Sequence, residues 1–134
     1  MRAVTRSGEH VGEWRLRIYA DTAEELFAEA ARAIARQCGP MGGELGPEQE
    51  ITVEARDLPT LLVDWLNEML GRSEIACAAF TEVTVLELTE RGLRATVRGR
   101  RVTRWRSSMK AATYHDVEMA RYGSRWRASV LLDI

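Results

Sequence analysis

The sequence is poor in the features that mark secreted, membrane-spanning and strongly nucleic-acid-binding proteins. Its 134 residues include only two cysteines, too few for the disulfide framework of a small secreted domain. No apolar run approaches the ~20 residues that span a bilayer, and the polar start from Met1 to His10 has no signal-peptide core. With 19 basic and 20 acidic residues, the chain has no basic excess. We therefore expect a cytoplasmic protein that binds neither a membrane nor, directly and strongly, a nucleic acid.

The sequence also lacks the motifs of the common enzyme classes. It contains no C-x-x-C pair, no G-x-S-x-G nucleophile motif, no P-loop and no dinucleotide-binding fingerprint. Cys38 is expected at the C-terminal end of a helix, where the helix dipole raises the pKa of a thiol. Cys77 lies among alanines and is expected to be buried. Because neither cysteine has the setting of an activated nucleophile, the sequence predicts a protein that is not an enzyme.

Two segments have the residue spacing of amphipathic helices. The first begins at a cap supplied by Asp21 or Thr22, places apolar residues three and four apart, and is stopped by the glycines and proline of residues 39–43. The second begins at a cap supplied by Asp57, with a proline in its first turn, and its apolar face ends at Gly71.

The other segments alternate apolar and polar residues, which is typical of half-buried strands. A tight turn at Gly92 predicts a hairpin over residues 83–99, and a turn at Gly123 predicts a second hairpin at the end of the chain. Strands are also expected at 14–18 and 51–55. The sequence therefore predicts a single α+β domain over residues 1–134, with a mixed, mostly antiparallel sheet, two helices and the order β-α-β-α-β-β-β-β.

Acidic groups stand at the two ends of this pattern. Asp133 follows the apolar run 130–132, and the carboxylate of Ile134 comes directly after it. Glu13 lies at the start of the first predicted strand. If these strands are neighbours, the oxygens would form the kind of ligand set that calcium or magnesium prefers. From composition alone, the simpler interpretation is that Glu13 and Asp133 are polar residues at the edges of strands.

Two further polar groups have competing interpretations. Within residues 113–116, T-Y-H-D, strand alternation places His115 and Asp116 on opposite faces, so we expect a hydrogen-bonded histidine under a loop rather than a catalytic base. The basic run at residues 98–106 either binds phosphate or an acidic partner, or is a solvated strand end. The solvated strand end is favoured, because most charged runs are water-exposed surface.

Four segments together resemble the archease family. Residues 110–118 read K-A-A-T-Y-H-D-V-E and residues 126–134 read W-R-A-S-V-L-L-D-I, similar to the family's K-A-V-T-Y-H segment and closing V-L-D-I. Residues 57–70 resemble its D-L-x-x-L-L-x-x-W-L-x-E-L-L helix, and residues 21–27 its T-L-E-E-L-F helix start. The segments occur in the family's order and with similar gaps, over nearly the whole chain.

The resemblance implies an accessory protein for an RtcB-type RNA ligase, promoting guanylylation of the ligase and multiple turnover in tRNA splicing or RNA repair. It implies a metal site, with calcium favoured over magnesium. The ligands of that site carry over to Glu13, Asp133 and the main chain of Ile134. It also implies that Lys110 and His115, from the K-x-x-T-Y-H segment, bind the partner.

The sequence departs from the family at one point. The family's H-T-A-D motif reads H-V-G-E over residues 10–13, so that Glu13 keeps the negative charge on a side chain one methylene longer. The alternatives are a divergent archease without metal-dependent activation and a metal-free, chaperone-like binding module for another RNA-modifying enzyme. A small hydrolase is a third, and it requires Glu13, His115 and Asp133 to converge in one pocket.

Overall fold

The computed structural model describes the backbone of residues 3–10 and the backbone and side chains of 12–106 and 109–134. The elements in these ranges are β1 (Ala3–His10), β2 (Glu13–Ala20), α1 (Ala23–Cys38), β3 (Met41–Gly42), β4 (Gln49–Glu54), α2 (Leu58–Ala76), β5 (Ala78–Thr89), β6 (Gly92–Val102), β7 (Ala111–Tyr122) and β8 (Arg125–Asp133). The predicted α+β class and the order of the predicted elements are confirmed, with β1 and the short β3 as additions. No described helix is long and apolar enough to cross a bilayer.

The described strands form two sheets with antiparallel pairing. The first sheet has the order β1-β2-β8-β7. In the second sheet, β6 pairs with β5 on one side and with β3 and β4 on the other. Both predicted hairpins are present, as β5–β6 and β7–β8. The first sheet therefore joins strands from the two ends of the described chain, because β8 lies between β2 and β7.

The helices begin where the sequence predicts. Thr22 caps α1 by accepting a hydrogen bond from the backbone N–H of Glu25, and Asp57 caps α2 by accepting one from the backbone N–H of Thr60. Gly39 ends α1 with φ of 139°, and an added Cβ there would lie 2.1 Å from the backbone oxygen of Arg104. Only glycine fits at that position.

The predicted end of α2 at Gly71 is wrong. The helix continues to Ala76 and closes at Cys77, which has a left-handed backbone conformation and donates its N–H to the backbone oxygen of Ser73. Gly71 is exposed within the helix, and nothing lies within 4 Å of an added Cβ there. A single glycine lowers helix propensity by only about 1 kcal/mol, which the packing of the helix outweighs.

The main core lies between the helices and the inner faces of both sheets. Trp65 is fully buried and donates its indole N–H to the backbone oxygen of Phe27 at 2.9 Å, which ties α2 to α1. The inner face of the first sheet consists of alternate residues of β2 and β8, including Leu16, Ile18 and Val130. The outer face of that sheet is left to polar and charged residues.

Helix α2 also covers the free edge of β7. The side-chain oxygen of Asn67 accepts a hydrogen bond from the N–H of Ala112 at 2.7 Å, and its amide donates to the oxygen of Ala112 at 3.0 Å. Asn67 thus pairs with the edge strand much as a neighbouring strand would, and it fixes where β7 begins.

We expect Asn67→Ala to destabilise the fold by about 1–3 kcal/mol, because it leaves two backbone groups of β7 without their partner. The exposed Glu74→Ala, on the same helix, is the matched control and is expected to change stability little. The measurement is the free energy of unfolding from urea titration. Equal stability of the two variants would contradict the role given to Asn67.

The Asp57 cap makes part of the stability dependent on pH. Hydrogen bonds from Thr60, the side chain first, lower the pKa of Asp57 below its ordinary 3.8, and the charge of Arg56 adds to this. A carboxyl with a lowered folded-state pKa stabilises the protein above the unfolded value and loses that contribution as pH falls through the folded value. In urea unfolding, the midpoint difference between wild type and Asp57→Asn should therefore be present at neutral pH and shrink below about pH 4. A difference that grows on acidification would contradict this assignment.

Candidate metal and partner site

Strands β2 and β8 bring the two acidic ends of the sequence pattern together. Glu13 and Asp133 are direct cross-strand partners in the antiparallel register. Their Cβ atoms are therefore about 4.5–5.5 Å apart on one face of the sheet. We call Glu13, Asp133 and the main chain of Ile134 the acidic row.

Backbone hydrogen bonds fix the acidic row from both sides. The N–H of Ile134 donates to the oxygen of Gly12 at 3.2 Å, and the N–H of Lys110 donates to the oxygen of Asp133 at 2.8 Å. Gly12 has φ of 80° in the turn between β1 and β2, a conformation that favours glycine. The row is therefore positioned by the sheet and its turns rather than by contacts between side chains.

The charge of the acidic row is not compensated within the described residues. Glu13 and Asp133 are both exposed, and neither forms an ion pair with a described basic side chain. Like charges directly opposite each other on a sheet repel, and a cation between them would relieve that repulsion. Carboxylate and main-chain oxygens are the ligands that calcium prefers. The residues present thus fit a hard cation.

No cluster of three or more His, Cys, Asp or Glu side chains that could hold a metal occurs in the described ranges. The acidic row supplies two such side chains, so a complete ligand set there depends on main-chain oxygens, such as those of Ile134, and on water. The register places Ala111 on the far side of Asp133 and His10 on the far side of Glu13. The side chain of His10 lies outside the described part.

Lys110 flanks the acidic row at the start of β7. It is exposed, and it also borders a cavity of about 490 Å³ between the end of α1, α2 and the connection from β6 to β7. The other lining residues are Cys38, Leu70, Ser73, Glu74, Trp105 and Met109. Lys110 therefore joins the acidic row through its backbone, while its side chain is exposed at the edge of this cavity.

A wide bulge in β7 contradicts the expected placement of His115 and Asp116. Residues 114–117 lie between the pairs Thr113–Leu131 and Glu118–Ser129, opposite a single residue of β8. Asp116 has φ of 55°, so the chain leaves strand geometry and the alternation of faces fails. As a result, His115 Nε2 lies 3.2 Å from Asp116 Oδ2, and the two side chains are 78% and 62% exposed rather than under a loop.

The bulge is tied to α2 by Tyr114. Its hydroxyl donates a hydrogen bond to Asp64 Oδ1, and this interaction raises the pKa of Tyr114 above its ordinary value. Asp64 lies one turn before Asn67 on α2, so the same helix face holds both the edge of β7 and its bulge. This bulge and its tie to α2 are not predictable from strand alternation; the local signal for them is Asp116, a residue type that tolerates a left-handed backbone.

The basic run at residues 98–106 is partly structural. Arg98 donates to the oxygen of Gly46 at 2.9 Å and Arg100 to the oxygen of Gly43 at 2.7 Å, so both anchor the connector after α1. Arg101 and Arg104 are exposed. These contacts support the simpler interpretation of the run as a solvated strand end and loop.

The expected burial of Cys77 is wrong. Cys77 is exposed at the end of α2, because its left-handed backbone conformation turns the chain from α2 into β5. Cys38 is buried at the end of α1, and burial raises the pKa of its thiol. The raised pKa favours the protonated, unreactive form of the Cys38 thiol.

Comparison with known proteins identifies relatives over almost the whole chain. Residues 6–134 match the model of the Archease protein family (MTH1598/TM1083). The chain is 36% identical over 135 residues to an archease of Methanopyrus kandleri, covering 94% of this chain and 96% of that protein. It is 30% identical to an archease of Methanosarcina mazei, with 94% and 92% covered. Its fold is similar to that of Protein 1598 of Methanobacterium thermoautotrophicum, with a TM-score of 0.72 and 25% identity over 97% of this chain and 98% of that one.

The two cysteines should react with a thiol reagent at very different rates. In the folded protein, we expect one fast reaction, at the exposed Cys77, and a slow one at Cys38, which is buried and has a raised thiol pKa. Cys77→Ser should remove the fast phase, whereas Cys38→Ser should leave it unchanged. Reaction with Ellman's reagent before and after denaturation measures this. Two fast thiols in the folded wild type would contradict the structure.

Proposed function

This chain belongs to the archease family, and from that membership and the acidic row we propose that it activates an RtcB-type RNA ligase. It acts as a non-catalytic accessory protein that promotes guanylylation of the ligase and so its multiple turnover, in tRNA splicing or RNA repair. The partner is the ligase itself, and a calcium-type ion is held by Glu13, Asp133 and the main chain of Ile134.

The observation that supports this proposal most strongly is the register of β2 against β8. It sets two exposed carboxylates opposite each other at one edge of the first sheet, without a basic partner among the described residues. A bound calcium-type ion would neutralise the row and supply a coordination point that a partner's oxygen ligands can share. The hydrogen-bonded backbone on both sides of Asp133 supports this proposal, because it restricts where the carboxylate can lie.

The neighbours of the row are suited to recognise a partner. The backbone of Lys110 is hydrogen-bonded to Asp133 and its exposed side chain borders the cavity beside α2, while the bulge at residues 114–117 presents His115 together with Asp116. These groups would contact the ligase and bind its active form more tightly than its inactive one. Activation follows from that difference in affinity, because a ligand shifts an equilibrium only by its preference for one state.

A hydrolase built on Glu13, His115 and Asp133 has less support. Such an enzyme needs the imidazole to act with the carboxylates of the acidic row. Among the described residues, His115 instead pairs with Asp116 on the exposed bulge. We therefore assign His115 to partner binding.

Asp133→Asn should weaken calcium binding about tenfold or more, because one charged ligand of a hard cation is lost. Glu13→Gln should have a similar effect. The matched control is Glu82→Gln, an exposed carboxylate on the other sheet, which should bind calcium as the wild type does. Calorimetric titration of each protein with calcium measures the effect, and equal affinities in all four proteins would contradict the assigned site.

The same variants test the activation of the ligase. The cognate ligase is used at a concentration far below that of its RNA substrate. Under this condition, wild type and Glu82→Gln should raise the number of ligations per ligase molecule, and Asp133→Asn should not. Unchanged turnover with the wild type would contradict the proposed function. Stimulation that persists in Asp133→Asn, with no calcium heat in the wild type, would instead indicate a divergent archease without metal-dependent activation.

A further inference from the structure

Three arginines lie together on the outer face of the first sheet, next to the acidic row. Arg15 and Arg17 extend outward from β2, because the alternate residues Leu16 and Ile18 are buried. Arg127 comes from β8, where its cross-strand partner is Tyr19. With Tyr19 and Ser129 these arginines line a depression of about 350 Å³. We call Arg15, Arg17 and Arg127 the arginine face.

Neutral groups, not carboxylates, hold two of these guanidinium groups in place. Arg15 donates to the hydroxyl of Ser129 at 2.9 Å. Arg127 donates to the hydroxyl of Tyr122 at 2.9 Å, and its guanidinium carbon lies 4.3 Å from the centre of that ring. These contacts reduce the freedom of the side chains without forming an ion pair to a described carboxylate.

Six other arginines of the described chain differ in this respect, whereas exposed arginines such as Arg91 and Arg101 also have no ion pair with a described carboxylate. Carboxylates lie within ion-pairing distance of the following arginines: Arg32, Arg36, Arg56, Arg72, Arg94 and Arg125. In the described ranges, the three residues of the arginine face have no such ion pair. What distinguishes the arginine face is that three such guanidinium groups lie side by side on one sheet face, without a described carboxylate at ion-pairing distance.

Two carboxylates limit the direction from which an anion can approach. Asp116 and Glu118 border the depression on the side of β7, and Asp116 is already paired with His115. An anion would therefore lie over β2 and the β2 side of β8.

We propose that the arginine face binds the phosphodiester backbone of single-stranded RNA. Arginine guanidinium groups donate two parallel hydrogen bonds to a phosphate. Tyr19 lines the depression, and the exposed Tyr122 adjoins it with one ring face covered by Arg127 and the other left for stacking; aromatic rings of this kind stack on bases in single-strand binding sites. An acidic protein segment would match the charges but would make no use of these rings, so RNA is the occupant that the residues favour.

This inference deepens the proposed function by placing RNA beside the surface that contacts the ligase. Arg15 is two residues from Glu13, or about 7 Å along the strand. A protein that binds the ligase through the acidic row and an RNA end through the arginine face raises the local concentration of that RNA end near the ligase. Three phosphate contacts give weak binding, which agrees with the near-neutral net charge.

The test measures binding of a short, fluorescein-labelled single-stranded RNA to the protein alone, by anisotropy at several salt concentrations. Three phosphate contacts predict a slope of log K against log salt of about −2, so that affinity falls roughly 20-fold between 50 and 200 mM salt. Arg17→Gln should weaken binding and reduce the slope by about 0.7. The matched control is Arg91→Gln, an exposed arginine in the β5–β6 turn with the same change in charge, which should bind as the wild type does.

Several outcomes would overturn the inference. They are the absence of RNA binding, equal loss in Arg17→Gln and Arg91→Gln, and displacement of the RNA by polyglutamate at a lower concentration than by unlabelled RNA. The last would assign the face to an acidic protein segment. Asp133→Asn should keep its RNA binding, because Asp133 is not part of the face. Intact RNA binding without ligase stimulation would therefore refute the proposed function alone, whereas calcium-dependent stimulation without RNA binding would refute this inference alone.

Discussion

The pairing of β2 with β8 is the constraint on which the rest of this structure depends. It joins strands that are more than one hundred residues apart in the chain, and it fixes their relative position to the residue. A slip of one residue would turn the buried faces of both strands outward, so the core itself specifies the register. The opposition of Glu13 and Asp133 is thus enforced by buried residues such as Leu16 and Val130, which also gain the hydrophobic free energy of burial.

The site residues are placed by the elements around that pair. Helix α2 pairs with the edge of β7 through Asn67 and holds the bulge through Tyr114, so that the segment carrying Lys110 and His115 has a defined position beside the row. The uncompensated charges lie on the outer face of the same sheet, acidic at one end and basic further along β2. Charges kept apart on a rigid face, rather than neutralised, are typical of surfaces that recognise partners.

Much of the fold is predictable from local sequence signals. The caps at Thr22 and Asp57, the stop at Gly39 and the two hairpins follow from side-chain chemistry and periodicity, and the structure confirms each of them. The sequence predicts the acidic row only if the first and last strands are neighbours. Whether they are neighbours is not visible in the sequence, because strand pairing over such a distance leaves no local pattern. The resemblance to archeases indicated the residues, and the register then showed that Glu13 and Asp133 meet.

The failures share a physical cause, which is tertiary packing that overrides local preference. The helix passes Gly71 because contacts along α2 outweigh the cost of one glycine, and this carries Cys77 to an exposed helix end. Strand alternation fails at His115 and Asp116 because a bulge is a relation between two strands and is not encoded in either one. The arginine face was missed for a similar reason, since Arg127 meets Arg15 and Arg17 only through the pairing of β8 with β2.

The central claim is that Glu13 and Asp133 hold the same ion, and a crystal soaked in calcium tests it most directly. The account predicts one anomalous difference peak at the acidic row, with oxygens of Glu13, Asp133 and the main chain of Ile134 at about 2.3–2.6 Å from it. A calcium peak elsewhere on the molecule, with the two carboxylates pointing apart and no ion between them, would contradict it.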